Sequence, residues 1–208
     1  MKKQEEYIND LTEIRSMMER SSKFLSLSGW SGVVIGIYAL AAAFFANLLM
    51  QQRSDYSLYE MSGIPGPSET LLELIGMGVV LLFLAVGTAI FLSHRKSRKI
   101  NEPLWNATAR RLVINMCIPL FTGGILIFIL ISKGFPGLIL PLTLLFYGLT
   151  LVNAGKYSYA ELRYLGAINI ALGLVAVNFI DYALLFWATG FGILHIIYGL
   201  YIYMKYEK

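Results

Sequence analysis

Charge is scarce in this chain. Only 14% of its 208 residues are Asp, Glu, Lys or Arg, against about 25% in an ordinary soluble domain. Water-facing surface needs more than that, so much of this surface faces something else. There is one cysteine, Cys117, which excludes an intramolecular disulfide and a cysteine-rich metal site. Histidine occurs twice, as His94 and His195. The sequence also lacks a phosphate-binding glycine loop, HExxH, CxxC and any Ser-His-Asp set. It offers no catalytic residues, no metal ligands and no cofactor, and reads as a non-enzyme.

Apolar sequence fills the space. Hydrophobic residues make up 57% of the chain, and its mean hydropathy is +0.63. Six runs approach the roughly 20 apolar residues that carry a helix across a bilayer. They are 29–50, 71–93, 112–132, 138–154, 164–180 and 183–204. The first run begins after 28 mostly polar residues and is too long for the core of a cleaved signal, which spans about 7–15 residues. The expected fold is all-α: an integral membrane bundle of six transmembrane helices (29–208), preceded by a cytoplasmic amphipathic helix (1–28).

The basic residues give that bundle an orientation. Arg95, Lys96, Arg98, Lys99, Arg110 and Arg111 fall in a predicted loop, 94–111, with Glu102 as its single acid. Lys and Arg beside a membrane helix resist translocation and stay cytoplasmic. With both termini inside, only Arg53 and Lys133 of the 17 basic residues lie outside. The expected location is a cell (inner or plasma) membrane, multi-pass, with cytoplasmic N and C termini. The basic residues flank apolar runs and do not form a groove-sized patch with interleaved aromatics, which argues against nucleic acid. Membrane lipids are the expected surroundings.

Before the first run, Tyr7, Leu11, Ile14, Met18 and Leu25 are spaced 4, 3, 4 and 7 apart. That spacing puts an apolar stripe on one face of a helix. Five basic residues (Lys2, Lys3, Arg15, Arg20, Lys23) balance five acids (Glu5, Glu6, Asp10, Glu13, Glu19). A helix that binds anionic lipid by charge is strongly basic. This neutral stripe therefore suits protein: the chain's own bundle, a second copy in a homodimer, or a membrane or cytoplasmic partner.

The stretch 14–40, IRSMMERSSKFLSLSGWSGVVIGIYAL, resembles the opening of a family of uncharacterised bacterial multi-pass membrane proteins, most closely over MMERSSKFLSLSG. The resemblance implies a six-helix membrane protein and supplies no activity. With two histidines, the chain lacks the ligands of a histidine-rich iron oxygenase.

Three constellations stand out inside the apolar runs. Ser28, Gly32 and Gly36 are spaced four apart, and small residues at this spacing let two helix backbones approach closely. The seam they form is either internal to the bundle or between two copies. His195 lies near the middle of the sixth run, where an ionisable group is expected to face the protein interior or a wet cavity. Asn169, Tyr147, Thr122 and Asn115 are its expected neighbours from other helices. They form either a packed polar seam or a pocket for a small apolar or amphipathic ligand. Asn115, Pro119 and Thr122 mark a plain kink in the third run or, as broken helices do in transporters, a substrate site. The leading functional expectation is an accessory or regulatory protein acting through its N-terminal helix; the alternative is a carrier using a cavity near His195.

Overall fold

The computed structural model describes residues 23–52, 69–101 and 103–208. Among them the regular structure is entirely helical. Helix α1 is Gly29–Gln52, α2 Glu69–Lys99, α3 Ala107–Ser132, α4 Ile139–Ala154 and α5 Leu162–Asn178. Helices α6, Ala183–Trp187, and α7, Leu194–Tyr206, are joined by a π-helical segment, Ala188–Ile193. Five stretches are long and apolar enough to cross a membrane: Gly29–Gln52, Glu69–Lys99, Ala107–Ser132, Pro136–Ala154 and Ile180–Tyr206. The apolar α5 is shorter, at 17 residues. The stripe residues Tyr7, Leu11, Ile14 and Met18 lie outside the described residues.

Two boundaries differ from expectation, each for a local reason. The predicted 94–111 loop is mostly helix. No Pro or Gly interrupts Ser93–Lys99, and Lys96, Arg98 and Lys99 in the last turn of α2 complement the negative end of the helix dipole. The helix ends at Lys99, and Asn101, two residues on, has a φ of 54°, the left-handed conformation that asparagine tolerates. Asn106 then caps α3, its Oδ1 accepting from the Ala109 amide at 2.8 Å. The second difference is at Leu25, which is not on a helix. Residues 24–28 are non-helical, because their backbone groups bond to distant parts of the chain. The Phe24 amide, for example, donates to the Tyr157 carbonyl at 2.6 Å.

Two antiparallel helix pairs form the core, and both are closed by glycine. Between α4 and α5, a Cβ on Gly148 would lie 2.7 Å from the Gly166 carbonyl oxygen, and one on Gly173 would lie 2.9 Å from the Pro141 oxygen. Between α1 and α7, a Cβ on Gly29 would lie 2.5 Å from the Gly199 oxygen. Helix α2 packs along α1, and α3 packs along α4. Their outward faces are strongly apolar: Phe83, Phe121 and Phe128 are 73%, 70% and 72% exposed. An apolar cluster of Phe24, Ala109, Leu112, Leu151, Ala154, Leu162 and Leu165 closes one end of the bundle. Segment 24–28, the end of α2, the 155–161 turn and the residues after α7 all meet at that end.

Candidate functional site

The π-helical segment shapes the middle of the bundle. Widening the helical register there leaves the Gly190 carbonyl to a side chain, and the His195 Nδ1 lies 2.8 Å from it. A carbonyl only accepts, so Nδ1 carries the proton and donates. Nε2 then accepts from the Tyr147 hydroxyl, also at 2.8 Å. His195 is 4% exposed, and its ring stacks on Phe191 at 5.9 Å with 9° between planes. Phe191 in turn touches Tyr147 and Trp187, at 4.7 and 5.0 Å. Asn169 is fully buried, and its Nδ2 donates to the Leu165 carbonyl. Its Oδ1 has no hydrogen-bond partner and packs beside Gly190, where a Cβ would come within 2.6 Å.

Of the five expected site residues, then, His195, Tyr147 and Asn169 converge around Gly190. Asn115 and Thr122 do not. The buried stripe of α3 is Ala109, Leu112, Pro119 and Gly123, with Asn115 half-buried at its edge and Thr122 exposed. Each turns back on its own helix: Asn115 donates to the Arg111 carbonyl and Thr122 to the Ile118 carbonyl, both at 2.8 Å. Both ring nitrogens of His195 are thus bonded within the protein. Neither ring nitrogen has a lone pair to spare, whereas Asn169 Oδ1 remains an acceptor without a partner among the described residues.

Ser28, Gly32 and Gly36 lie in the seam between α1 and the end of the chain. A Cβ on Gly32 would lie 3.1 Å from the Gly199 Cα, and one on Gly36 would lie 2.7 Å from the Gly192 oxygen. Ser28 Oγ donates to Glu207 at 3.4 Å.

The densest polar network is at the end of the bundle, and it centres on Lys96. Its Nζ donates to the Leu27 carbonyl at 2.9 Å, the Tyr159 hydroxyl at 2.7 Å and Glu207 Oε1 at 3.0 Å. Three protons meet three acceptors. Glu207 Oε1 also accepts from the Gly29 amide at 2.6 Å. A carboxylate from the far end of the chain thus sits at the positive N-terminus of α1. Tyr159 donates onward to the Leu25 carbonyl, and Ser158 donates to the Phe24 carbonyl, both at 2.8 Å. Burial, followed by the nearby charge of Glu207, pushes the Tyr159 hydroxyl above its ordinary pKa, so it stays a donor. Beside this knot, Glu161 pairs with Lys205 at 2.6 Å and accepts from Tyr206 at 2.9 Å. Burial pushes the Glu161 carboxyl upward, but the hydrogen bonds from Lys205, its own backbone and Tyr206 outweigh it and hold the group below its usual value.

Sequence reasoning did not find this knot. Two signals were present. Lys96 shares a helical face with Ser93, a small residue of the kind that faces protein, whereas Arg95, Arg98 and Lys99 point elsewhere. Glu161 and Glu207 are isolated acids in a basic field. No family model, curated protein or solved structure matches this chain.

Proposed function

We propose that the chain is an integral membrane protein of six crossings in a cell inner or plasma membrane, with both termini cytoplasmic. In this reading it is a non-enzymatic accessory or regulatory protein that engages a protein partner through its N-terminal segment. Five long apolar stretches and the exposed phenylalanines of α2 and α3 support the membrane part.

The observation that carries the functional part is the knot. Segment 24–28 is bonded by Tyr157, Ser158, Tyr159, Lys96 and Glu207, which come from three separate parts of the chain. Ordering a non-helical segment costs about 1–2 kcal/mol per residue in backbone entropy. That cost has a use if the residues upstream are to be presented in a set position. The carrier reading has less support, because the Tyr147 hydroxyl and both ring nitrogens of His195 are already bonded within the protein.

The test is a Leu11→Asp/Ile14→Asp double substitution in the full chain, followed by purification from its native membrane. The expected result is loss of every stoichiometric protein partner with insertion unchanged. Complexes that survive the double substitution would overturn the proposal.

A further inference from the structure

The basic turns at the end of α2 face two ways. Lys96 turns inward to the knot, whereas Arg95, Arg98 and Lys99 are exposed. No carboxylate among the described residues pairs with those three. Phe91, His94, Arg95, Arg98 and Lys99 line an open groove of about 420 Å³. Their spacing (i, i+3, i+4, i+7, i+8) keeps them on one face of the helix.

The same face continues downward as apolar surface. Gly87, Leu84 and Val80 lie four, seven and eleven residues before Phe91, and all are exposed. A Cβ on Gly87 would meet nothing within 4 Å, so the glycine leaves a notch below the Phe91 ring. The 31 residues of α2 measure about 46 Å at 1.5 Å per residue, longer than a hydrocarbon core of about 30 Å. The basic turns therefore reach the headgroup layer while the notch stays among the acyl chains.

We propose that this face of α2 is a binding site for an anionic phospholipid of the cytoplasmic leaflet. Arg95, Arg98 and Lys99 hold the phosphate, and one acyl chain runs past Phe91 into the Gly87 notch. Guanidinium groups match phosphate oxygens with paired hydrogen bonds, and basic clusters on the cytoplasmic side of membrane helices select acidic headgroups. The order of features along the face, three cations unpaired among the described residues and then exposed apolar surface on one helix, matches an amphiphile. A soluble phosphate would use only the upper half. The proposal rests on the membrane reading above.

The experiment uses the full chain in mild-detergent micelles doped with phosphatidylglycerol or with phosphatidylcholine of the same chain length, with bound lipid read by native mass spectrometry. The wild type is expected to retain phosphatidylglycerol in preference. Arg95→Gln/Arg98→Gln/Lys99→Gln should lose that preference, at roughly fivefold per charge removed. Arg110→Gln/Arg111→Gln, on α3, should keep it. Gly87→Leu, which has open space for the new side chain, should weaken retention with the charge untouched. Equal retention by the triple variant, or an equal loss in the α3 variant, would overturn the site. Competition by inorganic phosphate as effective as by the lipid would overturn the acyl-chain half. Insertion is scored separately by resistance to alkaline extraction. A chain that is extracted refutes the membrane reading, whereas an inserted chain with no lipid preference refutes only this site.

Discussion

An ammonium group has three protons to donate, and at Lys96 all three are bound by groups from three different segments. The lysine and Glu207 side chains are only 14% and 13% exposed, so water cannot readily replace either partner. Lys96→Met keeps most of the aliphatic stem in place but leaves the carboxylate with the Gly29 amide and Ser28 alone. The expected cost is about 2 kcal/mol, in the range for stranding a partly buried polar partner. Glu207→Gln should cost less, because a carboxamide oxygen can still accept from Gly29. The double variant should fall short of the sum of the two, since both changes break one shared network. Reversible unfolding in mixed micelles measures all three. Additive losses would mean that Lys96 and Glu207 do not act on each other.

At the scale of the helix, packing divides the glycines into two kinds. Gly36 faces the Gly192 backbone oxygen, whereas a Cβ on Gly124 would meet nothing within 4 Å. Gly36→Val would drive a branched side chain into a neighbouring backbone that can move only by separating α1 from α7. The expected destabilisation is about 1–3 kcal/mol or more. Gly124→Val should be close to neutral, and the same unfolding assay distinguishes them. Tolerance of valine at position 36 would remove the close α1–α7 approach. The sequence showed the four-residue spacing of Ser28, Gly32 and Gly36 but not which neighbour it met, because a seam between copies would have the same spacing. Helix existence was legible because the apolar runs approach the length of a membrane crossing. The end of α2 was misread because a cluster of like charges resembles a loop, while the actual stop signals are the conformation of Asn101 and the cap at Asn106. Depth along the helices brought His195, Tyr147 and Asn169 together correctly. Depth alone could not exclude Asn115 and Thr122, since it says nothing about which way a helix is turned.

For the whole molecule, the arrangement of segments follows from contacts that no local pattern encodes. Glu207 reaches Gly29 across 178 residues of sequence, and Ser158 reaches Phe24 across 134. These contacts gather the entry to α1, the end of α2, the 155–161 turn and the C terminus at one end of the bundle. That arrangement requires an even number of crossings between successive members of the set. The 133–135 turn between α3 and α4 accordingly belongs at the opposite end. In the proposed topology Lys133 is therefore external and Lys156 cytoplasmic, and both are exposed. The lone cysteine makes this simple to check: in a Cys117→Ser background, a single cysteine is placed at position 133 or at 156. An impermeant maleimide applied to intact cells should label the first at once and the second only after the membrane is opened. Labelling of both from one side would mean that α4 does not cross. A reversed pattern would put the basic turns of α2 outside, against the bias of Lys and Arg toward the cytoplasm, and would take the proposed lipid site out of the leaflet where anionic headgroups are found.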